Sequence, residues 1–308
     1  QETRQPQETR QPQETKQSEE TRQAENIDLS KLKPNPIGDF EWEVTGNLVT
    51  IIKCKARGTV VLPKKIAGFP VGRIGFLNSD GNTLPSDLKK GNAIPDGVTH
   101  LAIPETLKSI GDGAFYDCKS LVSLNLPDQA ISIGRDAFCG CDKLKNVTIG
   151  TGLTAIGEGA FYNCQNLEPL ALPNTLNVIA AKAFQYCNRF TDITIPDAVN
   201  NISPAAFDDC INLKSITVSE KNPTFSSSDG VLLNKTGQLL IRCPQGRKRD
   251  YQVPATVTEI STAAFYRCSA LTSITIPDGV ITIRNDAFRE CSSLGTVNIP
   301  QALTTMGS

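Results

Sequence analysis

Ten cysteines in a chain of 308 residues could form disulfides, hold zinc or act as nucleophiles. A single histidine, His100, argues against most imidazole catalysis and against His-rich metal sites. The spacing of the cysteines narrows the choice further. Cys118, Cys141, Cys164, Cys187, Cys210, Cys268 and Cys291 share one register of a 23-residue period. Stacked repeats would set their Cα atoms about 4.8 Å apart, which disulfide geometry permits. Side chains that stack in one direction fill an interior, however, and there cysteine behaves as a small hydrophobe. The register therefore reads as a ladder of buried thiols, with neither metal nor cofactor. Cys54, Cys139 and Cys243 lie off register, and any disulfide or reactive thiol is expected among them. The carboxylate pair Asp208-Asp209 sits on a predicted turn and reads as solvated surface. No P-loop, nucleophile elbow or dinucleotide fingerprint is present, and the chain reads as a non-enzyme.

Charge excludes further classes. The formal net charge is -1, so no basic field points to nucleic acid. Arg247-Lys248-Arg249 is one local basic run and reads as a solvated loop. No apolar stretch approaches the roughly 18 residues of a membrane helix, so this chain is not expected to insert into a membrane. It opens at Gln1 and not at a methionine, so either a signal peptide has been removed or the sequence starts late.

Three regions must position whatever chemistry there is. Residues 1–26 are built on hexapeptides such as QETRQP, without aromatics or large aliphatics. Such a segment cannot bury enough apolar surface to offset its ordering entropy, and it reads as a disordered spacer, either a stalk or a passive tail. Residues 27–95 read as an N-terminal β cap with degenerate first repeats. Phe40-Glu-Trp42-Glu-Val44 alternates like a half-buried strand, and Thr45-Gly46-Asn47 turns it back onto Leu48 to Ile52. Residues 96–308 carry the 23-residue period. Ile110, Ile133 and Ile156 share one position, Ala-Phe pairs such as Ala114-Phe115 and Ala137-Phe138 another, and L-x-L segments such as Leu124-Asn125-Leu126 a third. A period of this length with an L-x-L strand marks a leucine-rich repeat.

The expected fold is an α/β solenoid. It is a right-handed leucine-rich-repeat stack with one continuous parallel sheet, and with short helical or 3-10 segments on the opposite side, where Ile-Gly-x-x-Ala-Phe-x-x-Cys places Ala, Phe and Cys at helical spacing. One repeat alone cannot bury enough to fold, so the array is stable only as an array. One interval is 35 residues instead of 23. Its extra stretch, within about 219–253, reads as a β-hairpin turning at Asn234-Lys-Thr-Gly237, either a binding loop or a structural excursion. Residues 300–307 repeat the first third of a unit, with Met306 in the isoleucine position, so either the repeat continues beyond Ser308 or a partner or second copy is expected to cover this end.

Alternation points the L-x-L leucines inward and the residues between and before them outward. The outward candidates for a partner-binding face are His100, Ser123, Asn125, Asn146, Thr148, Asp192, Thr194, Ser215, Thr217, Ser273 and Thr275. They are small and mostly hydroxyl or amide. A broad flat face of this kind suits an extended protein partner, although Ser and Thr are also ordinary solvent-facing strand residues.

Residues 104–149, PETLKSIGDGAFYDCKSLVSLNL followed by PDQAISIGRDAFCGCDKLKNVTI, resemble the BspA-like, or Treponema-type, leucine-rich repeat. The likeness spans about 96–307, with weaker likeness at 59–75 and in Asp229-Gly230-Val231-Leu232 of the insertion. Gly150 and Ser219 depart from the repeat proline, and Ala180, Ser203, Ser261 and Arg284 from the glycine after isoleucine. The resemblance implies a secreted or cell-surface (or periplasmic) protein of bacteria such as spirochaetes and Bacteroides relatives, or of a parasitic protist. It also implies adhesion to host extracellular matrix or to microbial surface proteins, with no enzyme activity. The alternative is a self-assembling protein whose sheet face or open C-terminal end makes a homo-oligomer.

Overall fold

The computed structural model describes residues 28–75 and 92–308, so the hexapeptide segment lies outside the described residues. Two units are distinguished, Gln1–Lys33 and Pro34–Ser308. The described part of the first holds a 3-10 turn, Leu29–Lys31, whose N-cap Asp28 accepts from the Ser30 amide.

The second unit is a parallel β-solenoid. Most repeats give two strands. The L-x-L segment forms the front strand, as at Ser123–Asn125 and Asn146–Thr148, which pair in parallel with a 23-residue offset. A two-residue strand ending at the register isoleucine, such as Ser132–Ile133, pairs with Ala155–Ile156 in a second sheet. The ladders continue into the N-terminal region. Gly58–Val61 pairs with Val98–Ala102 at the front, and Phe69–Ile74 pairs with Ser109–Ile110 in the second sheet. Phe40–Thr45 and Leu48–Cys54 form an antiparallel hairpin, and Leu48–Cys54 runs parallel to Phe69–Ile74.

Where helical segments were expected on the opposite side, the chain makes linked turns instead. The reason is backbone handedness. Two residues in most repeats take positive φ, one before the alanine and one before the cysteine. They include Asp136 (49°), Lys182 (57°) and Ala263 (54°) at the first site, and Asp117 (55°), Tyr186 (64°) and Arg267 (56°) at the second. Left-handed residues interrupt any right-handed helix. Ala205, held by Pro204, is not among them, and there alone among these repeats a 3-10 helix forms, Pro204–Phe207.

The turns stack through backbone and side chains together. Phe138 N donates to Ala160 O at 2.7 Å, Phe161 N to Ala183 O at 2.8 Å and Phe184 N to Ala206 O at 2.9 Å. The buried alanines leave room for this approach. Phe115, Phe138, Phe161, Phe184 and Phe207 stack with centroids 4.8, 5.1, 5.6 and 5.6 Å apart. Each register cysteine donates its thiol to a carbonyl one repeat back: Cys141 to Phe115 O at 3.1 Å, Cys164 to Phe138 O at 3.1 Å and Cys210 to Phe184 O at 3.0 Å. All ten cysteines are free thiols, and only Cys291 is not buried. The off-register Cys54, Cys139 and Cys243 are buried too, so the structure does not set them apart as accessible thiols. Burial pushes the Cys139 and Cys210 thiols up to about 12.

The insertion is a three-stranded meander. Phe225–Ser228 pairs antiparallel with Val231–Asn234, and Val231–Asn234 with Leu239–Arg242. Leu232 and Ile241 pack into one core, Val231, Leu233 and Leu240 into a second. An apolar run of this kind is what a strand covered on both faces requires. Asn222 starts the meander and is wholly buried. Its Nδ2 donates to Pro196 O and Val199 O at 2.7 and 2.8 Å, and its Oδ1 accepts from the Thr224 and Phe225 amides at 2.9 and 2.8 Å.

Candidate interaction surface

The front sheet positions the candidate residues, and it is not continuous. Four strands, Gly58–Val61 to Asn146–Thr148, form one sheet, Asp192–Ile195 and Ser215–Val218 a second, and Arg249–Gln252, Leu271–Thr275 and Thr296–Val297 a third. The first break falls at residues 169–172. Pro169 has no amide to donate, and Leu170, Ala171 and Leu172 donate no backbone hydrogen bond to either neighbouring strand among the described residues. The side-chain alternation survives, with Leu170 buried and Ala171 exposed. The second break is the insertion. Its Asp229-Gly230 turn covers the edge of Ser215–Val218, where Ile216 N donates to Gly230 O at 2.8 Å. Gly230 has φ +72°, and a Cβ there would come 2.7 Å from Ser215 Oγ.

The candidates consequently fall into three groups. Asn125, Asn146 and Thr148 stand exposed on the first sheet with Ser123 half-buried beside them. Asp192, Thr194 and Thr217 are exposed on the second, and Ser215 is half-buried under the insertion. Thr194 and Thr217 share a hydroxyl hydrogen bond of 2.9 Å. On the third, Thr275 is exposed and Ser273 half-buried. Ser273 and Thr272 donate to Asp250 Oδ1 at 2.8 and 3.0 Å, and these bonds hold the Asp250 carboxyl below its ordinary value. His100 is a correction. It is only 6% exposed, in a strand paired on both sides, with Nδ1 3.1 Å from Thr99 Oγ1 and Nε2 buried without a partner. The imidazole lies sheltered between its neighbours and is not a solvent-facing contact.

Beside the Pro169 break lies a depression of about 570 Å³. Asp192 and Thr194 line it together with Pro169, Ala171, Lys221 and Ser219. It offers hydroxyls, a carboxylate and an ammonium around a segment whose amides are unused. The sequence signal for it is a proline in the middle of an expected strand.

The Asp208-Asp209 pair is a second correction. Asp209 is 5% exposed. Arg267 Nη1 donates to Asp209 Oδ1 at 2.6 Å and Gln185 Nε2 to Oδ2 at 3.0 Å. Asp208 Oδ1 lies 2.6 Å from Nη2 of the buried Arg242, an ion pair by distance though not aligned as a hydrogen bond. Burial pushes the Asp208 carboxyl up, with Arg242 opposing. Arg242 comes from the last strand of the insertion and Arg267 from beyond it, and both fold back onto the turn, burying Asp209 and half-burying Asp208. In the basic run, Lys248 and Arg249 are exposed, whereas Arg247 is half-buried, pairs with Asp229 and lies 4.5 Å over the Tyr251 ring. Among the described residues, no group of three or more His, Cys, Asp or Glu could hold a metal ion, and no helix is long and apolar enough to cross a membrane.

Comparison with known proteins gives this geometry relatives. A family model described as the BspA type leucine rich repeat region matches residues 96–214 and 248–308 in six copies. A leucine rich cell surface protein of Faecalibacterium prausnitzii is similar, with a TM-score of 0.60 and 26% identity over 89% of this chain and 78% of that one. The pneumococcal vaccine antigen PcpA aligns with a TM-score of 0.57 at 19% identity, over 89% of this chain and 78% of its own. A leucine-rich repeat protein of Bacteroides ovatus aligns at 0.55 and 20% identity, over 89% and 79%. The last two likenesses concern the fold alone. Among curated proteins, none matches the chain significantly.

Proposed function

The chain belongs to the BspA-type leucine-rich-repeat family, and from that premise we propose that it is a non-enzymatic, secreted or surface-exposed module that adheres to an extended protein partner through its front face. The partner is a host extracellular-matrix protein or a microbial surface protein. The observation that carries this reading is the row of exposed hydroxyls and amides running into the Pro169 depression. Asn146 and Thr148 flank the break on one side, and Asp192 and Thr194 on the other. Unused backbone amides at 170–172 add donors to that row. Many small polar contacts on a pre-formed scaffold suit a peptide or strand-like segment. The described likeness to a cell-surface protein supports the placement.

The test is capture from panels of matrix and microbial surface proteins, comparing the native chain with Thr148→Arg and Thr217→Arg. Both changes put a long cation on the exposed row and leave the core untouched, so binding is lost while circular dichroism is unchanged. Binding that survives both variants removes the front face from consideration.

A second reading, self-association, is favoured by the exposure of Ile299 (78%) and Met306 (68%) around an apolar hollow of about 260 Å³. Sedimentation across concentration decides it, and a strict monomer throughout discards it.

A further inference from the structure

The turn side holds a notch that the repeat pattern does not explain. Between Phe207 and Phe265 one Ala-Phe-x-x-Cys turn is missing, and Cys243-Pro244-Gln245-Gly246 stands in its place. Cys243 N takes the ladder bond to Ala264 O at 2.7 Å that a phenylalanine makes elsewhere. The replacement is shorter and lies close against the preceding turn: a Cβ on Gly246 would come 2.6 Å from the Asn212 carbonyl carbon. The space left by the missing corner is about 600 Å³. Arg267 reaches across it to Asp209, 58 residues away in sequence.

The groups around this notch are short of donors. Gln245 is 5% exposed. Its Nε2 donates to Tyr266 O at 3.0 Å, which turns Oε1 the other way, and that oxygen is buried without a partner. Asn188 Oδ1, also lining the notch, is buried and unpartnered. Asp209 and Glu290 both line the notch and share Arg267 at 2.6 and 2.7 Å, while Arg289 lies 3.7 Å from Glu290 and 3.5 Å from Asp286. Three carboxylates, Asp209, Glu290 and Asp286, against two guanidinium groups, Arg267 and Arg289, leave a net negative charge, and two buried carbonyl oxygens lack hydrogen. Ile211, 59% exposed, gives the rim an apolar edge.

We propose that this notch is an anchor for a basic side chain, a lysine or arginine presented by the protein partner. The anchor rests on the reading of the chain as an interaction module but lies outside the front face. An aliphatic stem would pass Ile211, and the charged head would supply donors to Gln245, Asn188 and Glu290. A carboxylate ligand would meet two like charges and no free cation. A purely apolar ligand would leave both amide oxygens unpaired.

The probes are acetyl-Gly-X-Gly-amide tripeptides with X as arginine, lysine, norleucine or glutamate. They are titrated at low salt into the full chain carrying methyl-labelled isoleucine. The Ile211 resonance is assigned by its loss in Ile211→Leu. Arginine and lysine peptides shift it saturably, and norleucine and glutamate peptides do not. Glu290→Gln weakens the arginine peptide about tenfold, the effect of removing a charged hydrogen-bond partner. Gln245→Leu weakens it at least as much, and Thr148→Arg leaves it unchanged. The assignment is overturned by an arginine peptide that gives no saturable shift or binds no better than the glutamate peptide. It is equally overturned by affinity that both Glu290→Gln and Gln245→Leu leave intact. Should Thr148→Arg abolish the signal instead, the notch is wrong while the front-face reading stands.

Discussion

Asn222 offers the sharpest test of how the insertion is held. Its amide closes four hydrogen bonds of 2.7 to 2.9 Å at zero exposure. Asn222→Ala leaves two carbonyls and two amides without that partner, and each lost bond costs roughly 1 kcal/mol or more, so on the order of 3–5 kcal/mol is expected. Asn222→Asp keeps the shape and both accepting positions but turns a carboxylate oxygen toward Pro196 O and Val199 O. The folded state then resists ionisation, and the folded pKa rises above the unfolded value of about 3.9. A raised pKa means stability present below the unfolded value and lost as pH rises toward the folded one. The Asp variant is therefore expected to be less stable than the Ala variant at pH 7 and to recover on approaching pH 4. Urea unfolding followed by circular dichroism at both pH values measures this, with hydrogen exchange of the 225–242 amides as the local readout. If Asn222→Ala costs under about 1 kcal/mol, or if the Asp variant shows no pH dependence, the four-bond account of the meander fails.

Other consequences follow from the ladders. Phe161→Ala, in mid-stack, is expected to cost about 3–5 kcal/mol and Phe288→Ala, half-buried at the end of its stack, clearly less, by denaturant midpoints. Lys182→Gly relieves an exposed left-handed residue at φ 57° and should raise stability by about 0.5–1 kcal/mol. Burial raises the Asp209 pKa, but hydrogen bonds from Arg267 and Gln185 outweigh it, so the folded pKa lies below 3.8. Its contribution is present above about pH 3.8 and lost as pH falls through the folded value, and Asp209→Asn should flatten that acid limb in a stability-pH series. Alkylation of the folded protein should label Cys291 first, since it alone is half-exposed and its thiol is pushed only to about 11; labelling of Cys139 ahead of it would contradict the burial argument.

Much of this was legible in the residues. The 23-residue register placed Phe138, Cys141 and Val147 in the core, where they lie. Alternation put Asn146 and Thr148 outside, where they also stand. The turn conformation was not legible, because Ala, Phe and Cys at helical spacing also satisfy a chain of turns. What separates the two is the sign of φ at residues such as Lys182 and Tyr186, whose types do not advertise it. His100 was misplaced because period-2 alternation gives the side of the sheet, not the shelter given by neighbours. The sheltering of the Asp208-Asp209 pair was missed because its partners, Arg242 and Arg267, lie at the end of and beyond an insertion whose path no local pattern fixes. The notch had a visible cue: the 58-residue gap between Phe207 and Phe265, which skips one Ala-Phe turn.

The meander at 225–242 acts as a bulkhead. It faces one core with Leu232 and Ile241, the other with Leu233 and Leu240, and no aromatic stacking crosses it from Phe207 to Phe265. Nearest-neighbour coupling is what makes a repeat stack melt as one body. Here the aromatic part of that coupling is interrupted, and polar ties from Arg242 and Arg267 span the joint. Backbone pairing still runs through the meander into Glu259–Ile260, so the joint is expected to be coupled less strongly than either stack rather than uncoupled. Under tension along the stack, this joint is the place where the fold is expected to yield first.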